Sequence, residues 1–113
     1  MTFDAYEVVI VPFPFSDKPV TRRRPAIILS PAPYCQATGL IVTAMVTTAR
    51  ASSWPYDLPL LQPRAAGLDR PCVIRLKLST IDARLVTARV GMLADVDRAR
   101  VIAQIRMFTG DHA

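Results

Sequence analysis

Hydrophobic positions along the chain fall into short runs broken by proline and polar residues. Val8 to Phe15, VVIVPFPF, is rich in Val and Ile and predicts a strand. Pro12 and Pro14 cannot donate ladder hydrogen bonds, so this strand ends near Val11 or runs on as an edge. Ser16 to Arg23 reads as a polar loop with a basic cluster. Pro25 opens a second strand, AIILS, which stops at Pro31. Ala32 to Thr38 reads as a connection, punctuated by Pro33 and closed by Gly39.

Leu40 to Thr48 alternates cleanly as a third strand. Leu40, Val42, Ala44 and Val46 fall on one face, and Ile41, Thr43, Met45 and Thr47 on the other. A fourth strand is expected within Trp54 to Leu61, interrupted by Pro55 and Pro59, and Gly67 marks a turn. In Cys72 to Leu78, Cys72, Ile74, Leu76 and Leu78 share one face, and Val73, Arg75 and Lys77 the other. Leu85 to Val90 allows one more strand. Only the C-terminal segment has helical periodicity: Val101, Ile105 and Phe108 recur, with Ile102 beside them. Asp95 or Asp97 is placed to cap its start, and Gly110 to stop it. Short strands, proline-rich connections and one late helix predict a mainly β chain, a small curved barrel with a packed helix.

The chain has 113 residues, enough for one compact domain over 1–113, and is 51% hydrophobic, enough to build a core. No apolar run approaches the roughly 18–20 residues of a membrane span, and the N-terminus lacks a basic-then-apolar leader. The expectation is a cytoplasmic protein without a membrane partner. Gly110 to Ala113 reads as a disordered tail. Cys35 and Cys72 belong to no Cys-x-x-Cys pair and read as small core residues.

Charge narrows the function. The net charge is +5, and twelve of the fourteen basic residues are arginine, Lys18 and Lys77 being the lysines. A guanidinium offers a planar fork that fits phosphate and stacks on bases, so a polyanionic partner suits the chain. Several chemistries are excluded. His112, the penultimate residue, is the only histidine, so a histidine acid/base pair is impossible. There is no Gly-rich phosphate loop and no Gly-x-Ser-x-Gly elbow. Acidic residues are scattered; Asp95 and Asp97 form the only close pair, so neither a metal nor another cofactor is expected. The remaining tools are Arg, Thr, Ser, backbone amides and Lys77.

Four stretches together carry a resemblance: EVVIVPFPFSD (7–17), RRPAIILS (23–30), IVTAMVTT (41–48) and GLDRPCVIRLKLSTID (67–82), the last continued by RVGMLADVD from Arg89. In order and spacing the chain resembles the MazF/PemK-like toxins over nearly its whole length. The resemblance implies an SH3-like β-barrel of the plasmid-maintenance-toxin type with a C-terminal helix, and a homodimer. It implies metal-independent cleavage of single-stranded RNA at short motifs, and inhibition by a cognate MazE-like antitoxin. The family's catalytic Arg, which precedes Pro, falls on Arg24, and its catalytic Thr on Thr47. Tyr6-Glu7, Cys72 and Ser79 depart from the common pattern of Gly-Asp, Ser and a bulky residue.

Among basic residues, Arg22, Arg23, Arg75 and Lys77 are the RNA-binding candidates, the last two sharing a strand face. Trp54, Tyr56, Phe13 and Phe15 read either as core or interface residues or as base-stacking groups. Two other readings stay open: a gyrase-poisoning toxin of the CcdB kind on the same barrel, and a nucleic-acid-binding barrel that leaves RNA intact.

Overall fold

The computed structural model describes residues 1–14, 21–49 and 54–110. Phe15, the loop from Ser16 to Val20, and the end of the tail with His112 lie outside these residues. β1 (Glu7–Pro14) pairs antiparallel with β2 (Thr21–Ile28) along its length. It pairs with β6 (Ala88–Met92) only from Glu7 to Ile10. Pro12 and Pro14 thus stand where the β6 side is open, the edge arrangement that proline tolerates. β2 starts four residues before Pro25, so Arg22 and Arg23 are strand and not loop. The template is β1, which offers partners out to Pro14.

Residues Ala32–Thr38, expected as an irregular connection, form a short helix, α1. Seven residues are too few to show a helical period, yet the punctuation fits. Proline stands in its first turn, and Gly39 closes it at φ +74°, its N–H donating to the Cys35 carbonyl at 2.8 Å. Pro31 offers no capping side chain. The Asp4 carboxylate stands in, accepting the N–H groups of Ala32 and Ala5 at 2.8 Å each, and these bonds hold its pKa below the usual carboxylate range.

β3 (Leu40–Thr48) matches its expected limits. The fourth strand shrinks to β4 (Leu58–Pro59), because Pro55 starts a turn over Trp54–Asp57 instead. β5 (Cys72–Asp82) pairs with β3 from end to end. Between Ala44 and Met45, whose partners are Leu78 and Arg75, the two residues Leu76 and Lys77 are extra. An even insertion keeps the alternation, so β5 has the expected faces, although Leu78 runs past the core and is exposed.

The strands form one antiparallel sheet in the order β4-β5-β3-β2-β1-β6, curled into a half-barrel. One face carries Val8, Ile27, Ala44, Val46 and Ile74 against Val101 of α2 (Asp95–Phe108). The opposite face is also covered over part of its length. There Val9, Val11, Ala26, Ile28 and Ile41 pack with Phe3 and with Cys35 of α1. The alternation of β3 does not predict this second core; Met45 packs at its margin, and Thr47 belongs to neither core.

α2 follows its expected period at Val101 and Ile105, but Ile102 and Phe108 are exposed. Its cap differs from expectation. Ala94 is the capping position and supplies no side-chain bond. Asp97 turns inward and is fully buried, accepting the Leu61 and Gln62 N–H groups at 2.9 and 2.8 Å and Arg100 Nη1 at 2.9 Å. It ties the helix to the segment after β4. Both cysteines are free and buried, as their isolation in the sequence suggested.

Candidate functional site

Strand alternation puts the two principal residues on one face. The β2–β3 ladder ends at Ala26 and Met45. Pro25 follows, and without an N–H it cannot continue the ladder. β2 nevertheless runs back to Thr21 and β3 on to Thr48. Two residues beyond that last pair on each strand stand Arg24 and Thr47, on the face of Ala26 and Met45. Both side chains are half-buried. Thr47 is paired in turn with Val73 of β5, and Thr48 with Cys72 on the other face. There burial pushes the Cys72 thiol up, away from the reactive thiolate.

The remaining basic candidates divide. Arg22, paired with Phe13, shares the face of Arg24. Arg23, paired with Pro12, is exposed on the opposite face and is not brought to the site. Arg75, paired with Met45, lies on the face of Arg24. Its guanidinium makes a two-point bond to Asp57, Nε to Oδ1 at 3.1 Å and Nη2 to Oδ2 at 2.9 Å, with both side chains largely shielded from solvent. That bond raises the Arg75 pKa further, so it is a permanent cation, but one already matched to a carboxylate. Lys77, in the irregular part of β5, is exposed.

Trp54 connects them. The Arg75 guanidinium carbon lies 5.4 Å from its ring centre and the Lys77 ammonium 5.8 Å. Trp54 and Tyr56 belong to neither core cluster; they are 45% and 48% exposed. Both stand in the turn Trp54–Asp57, closed by the Asp57 N–H to the Trp54 carbonyl at 3.0 Å. Tyr56 takes φ +66° at the third position, where glycine or asparagine is usual. α2 holds the turn: Gln104 Nε2 donates to the Tyr56 carbonyl at 3.1 Å, and Phe108 meets the Tyr56 ring edge-on at 5.9 Å.

Asp57 was not singled out from the sequence, since nothing local links it to an arginine eighteen residues on. For Asp97 the sequence suggests only a cap. Among the described residues no three His, Cys, Asp or Glu side chains gather as a metal site. No helix among them is long and apolar enough to cross a membrane. The face of Arg24 and Thr47 therefore offers cations, a hydroxyl and an exposed indole.

A family profile described as PemK-like, MazF-like toxin of type II toxin–antitoxin system matches residues 4–109. No curated protein matches the sequence. Among solved structures, the chain is similar to MazF from Deinococcus radiodurans at 27% identity and a TM-score of 0.75, covering 97% of this chain and 98% of that one. It is similar to a MazE-MazF structure from the same organism at 26% identity and a TM-score of 0.70, with 97% of each chain covered. The Mycobacterium tuberculosis toxin MazF-mt6 shares the fold, at 20% identity and a TM-score of 0.69, over 88% of this chain and 92% of that one.

Proposed function

The chain belongs to the PemK-like, MazF-like toxins of type II toxin–antitoxin systems, and we propose that it acts as a metal-independent endoribonuclease on single-stranded RNA. The observation that carries this reading is that Arg24 and Thr47 share one face of the sheet, each two residues past the last β2–β3 pair, Ala26 and Met45.

RNA supplies its own nucleophile. The 2′-oxygen attacks the adjacent phosphorus, the bond to the 5′-oxygen breaks, and the 2′-proton is lost as the leaving oxygen gains one. The products are a 2′,3′-cyclic phosphate and a 5′-hydroxyl. Charge develops on the phosphoryl oxygens, where a preorganised donor helps most. Arg24 is suited to that task. Its restricted residue before proline fixes where the side chain starts, and a guanidinium is too weakly acidic to be a base at neutral pH. Thr47 adds a hydroxyl donor from β3. Arg22 and Lys77 bind flanking phosphates.

The toxin works as a single domain in the cytoplasm, where messenger RNA is the substrate, and as a homodimer that extends the basic face. The MazE-MazF structure supports a MazE-like antitoxin as partner. An acidic segment that folds on the same cations would exclude RNA.

Incubation of the purified protein with a long unstructured RNA in EDTA, with mapping of the ends, tests the reading. Discrete cuts with cyclic-phosphate and 5′-hydroxyl ends are expected, and an all-DNA oligonucleotide should survive. Strict dependence on Mg²⁺ would sink the metal-independent mechanism. Intact RNA would turn attention to a protein target.

A further inference from the structure

We infer that Trp54 is a nucleobase-stacking platform for the substrate, held in place by the Asp57–Arg75 pair; the inference rests on the reading of the chain as an RNA-cutting toxin. Three observations converge. First, Trp54 is a large aromatic side chain left nearly half exposed, outside both cores, with two cations at its ring. Covering it with an apolar partner would strip water from Lys77 without replacing it. A nucleotide suits the same place, because its base meets the ring while its phosphates meet the charge.

Second, the turn that presents Trp54 is fixed from several sides. Asp57 closes it and grips Arg75 by two bonds. Gln104 and Phe108 hold Tyr56, which keeps a left-handed backbone that only its surroundings sustain. A rigid ring loses little freedom when a base stacks on it. Asp57 also changes the part Arg75 plays. With Nε and Nη2 engaged, Arg75 is held beneath the indole and positions it, and only its Nη1 side remains for a phosphate.

Third, the place is right. Arg75 is the diagonal neighbour of Thr47 across the β3–β5 ladder, since Thr47 pairs with Val73. Such neighbours lie about 7–8 Å apart. With a phosphate between Arg24 and Thr47, the base of a neighbouring nucleotide reaches the ring over Arg75.

Trp54 is the only tryptophan in the chain, so intrinsic fluorescence reports on this ring alone. The probe is a fluorescein-labelled single-stranded oligonucleotide with every 2′-hydroxyl methylated, which cannot be cut. Anisotropy measures binding, and an unlabelled copy measures quenching of Trp54. Binding should quench the indole; an abasic copy of the same length, or inorganic polyphosphate, should quench far less. Trp54→Leu should weaken binding about tenfold, the size of one base stack, and Trp54→Phe should recover most of that. Asp57→Asn should reduce the quenching amplitude while circular dichroism stays unchanged.

Binding without quenching, equal quenching by polyphosphate, or full affinity in Trp54→Leu would overturn the platform and leave the proposed activity standing. If the parent protein neither binds nor cuts RNA, the activity falls and the platform falls with it.

Discussion

Arg24 and Thr47 lie on the same face of the sheet, each two residues beyond Ala26 and Met45, where the β2–β3 ladder ends. Arg24→Ala should lower single-turnover cleavage by about 10²–10³-fold, the usual effect of losing an oxyanion-type donor. Arg24→Lys should recover little, because an ammonium cannot reproduce a two-point contact. Thr47→Val should slow cleavage sharply and Thr48→Val only slightly, since Thr48 lies on the face of Val46 and pairs with Cys72. Near-normal cleavage by Arg24→Ala, or a larger effect at Thr48, would relocate the site.

Asp97 makes a stability prediction independent of activity. Its buried carboxylate satisfies two backbone N–H groups and Arg100. Asp97→Ala leaves those donors without their acceptor, and urea unfolding should show a loss of roughly 3–5 kcal/mol. Asp97→Asn keeps one acceptor oxygen and should lose clearly less. Equal losses would mean that charge and not shape holds the segment after β4.

Two glycines should separate backbone strain from crowding. Gly39 and Gly67 both have positive φ, but a Cβ on Gly39 meets nothing within 4 Å, whereas one on Gly67 would lie 2.4 Å from the Val90 carbonyl oxygen. Gly39→Ala should cost about 1–2 kcal/mol, the left-handed penalty alone. Gly67→Ala should cost a further 1–3 kcal/mol from overpacking. Thermal melts of the two variants give the order directly.

Asp82 predicts an acid-range effect. Arg84 bonds its carboxylate through both side chain and backbone and lowers its pKa from the usual 3.8 to about 2. A carboxyl whose folded pKa is depressed stabilises the fold above its ordinary value, and that stability is lost as pH falls through the folded value. The melting difference between parent and Asp82→Asn should therefore be constant from pH 7 to 5 and shrink from about pH 4 towards 2. A carboxyl NMR titration with its midpoint at the ordinary value would refute the pairing.

Local features were legible in the residues themselves. The limits of β3, the inward Val101 and Ile105 of α2, the stop at Gly39 and the turn at Gly67 all follow from neighbours in the chain. Arg24 and Thr47 were legible only through the family resemblance, because a basic residue before proline and a threonine in a strand have many ordinary uses.

Long-range pairing decided the rest. The seven residues of α1 are too few to show a period, and its first N–H is satisfied by Asp4, twenty-eight positions from Ala32. The extra strand length at Arg22 and Arg23 exists because β1 extends beside it. The second core under α1, the inward turn of Asp97 and the grip of Asp57 on Arg75 each join segments remote in sequence. Side-chain alternation and turn chemistry depend on torsions and near neighbours, so a sequence carries them openly. Register and ion pairs depend on which distant segments gain enough by meeting to offset the entropy of closing the chain between them, and that balance is struck only in the folded whole.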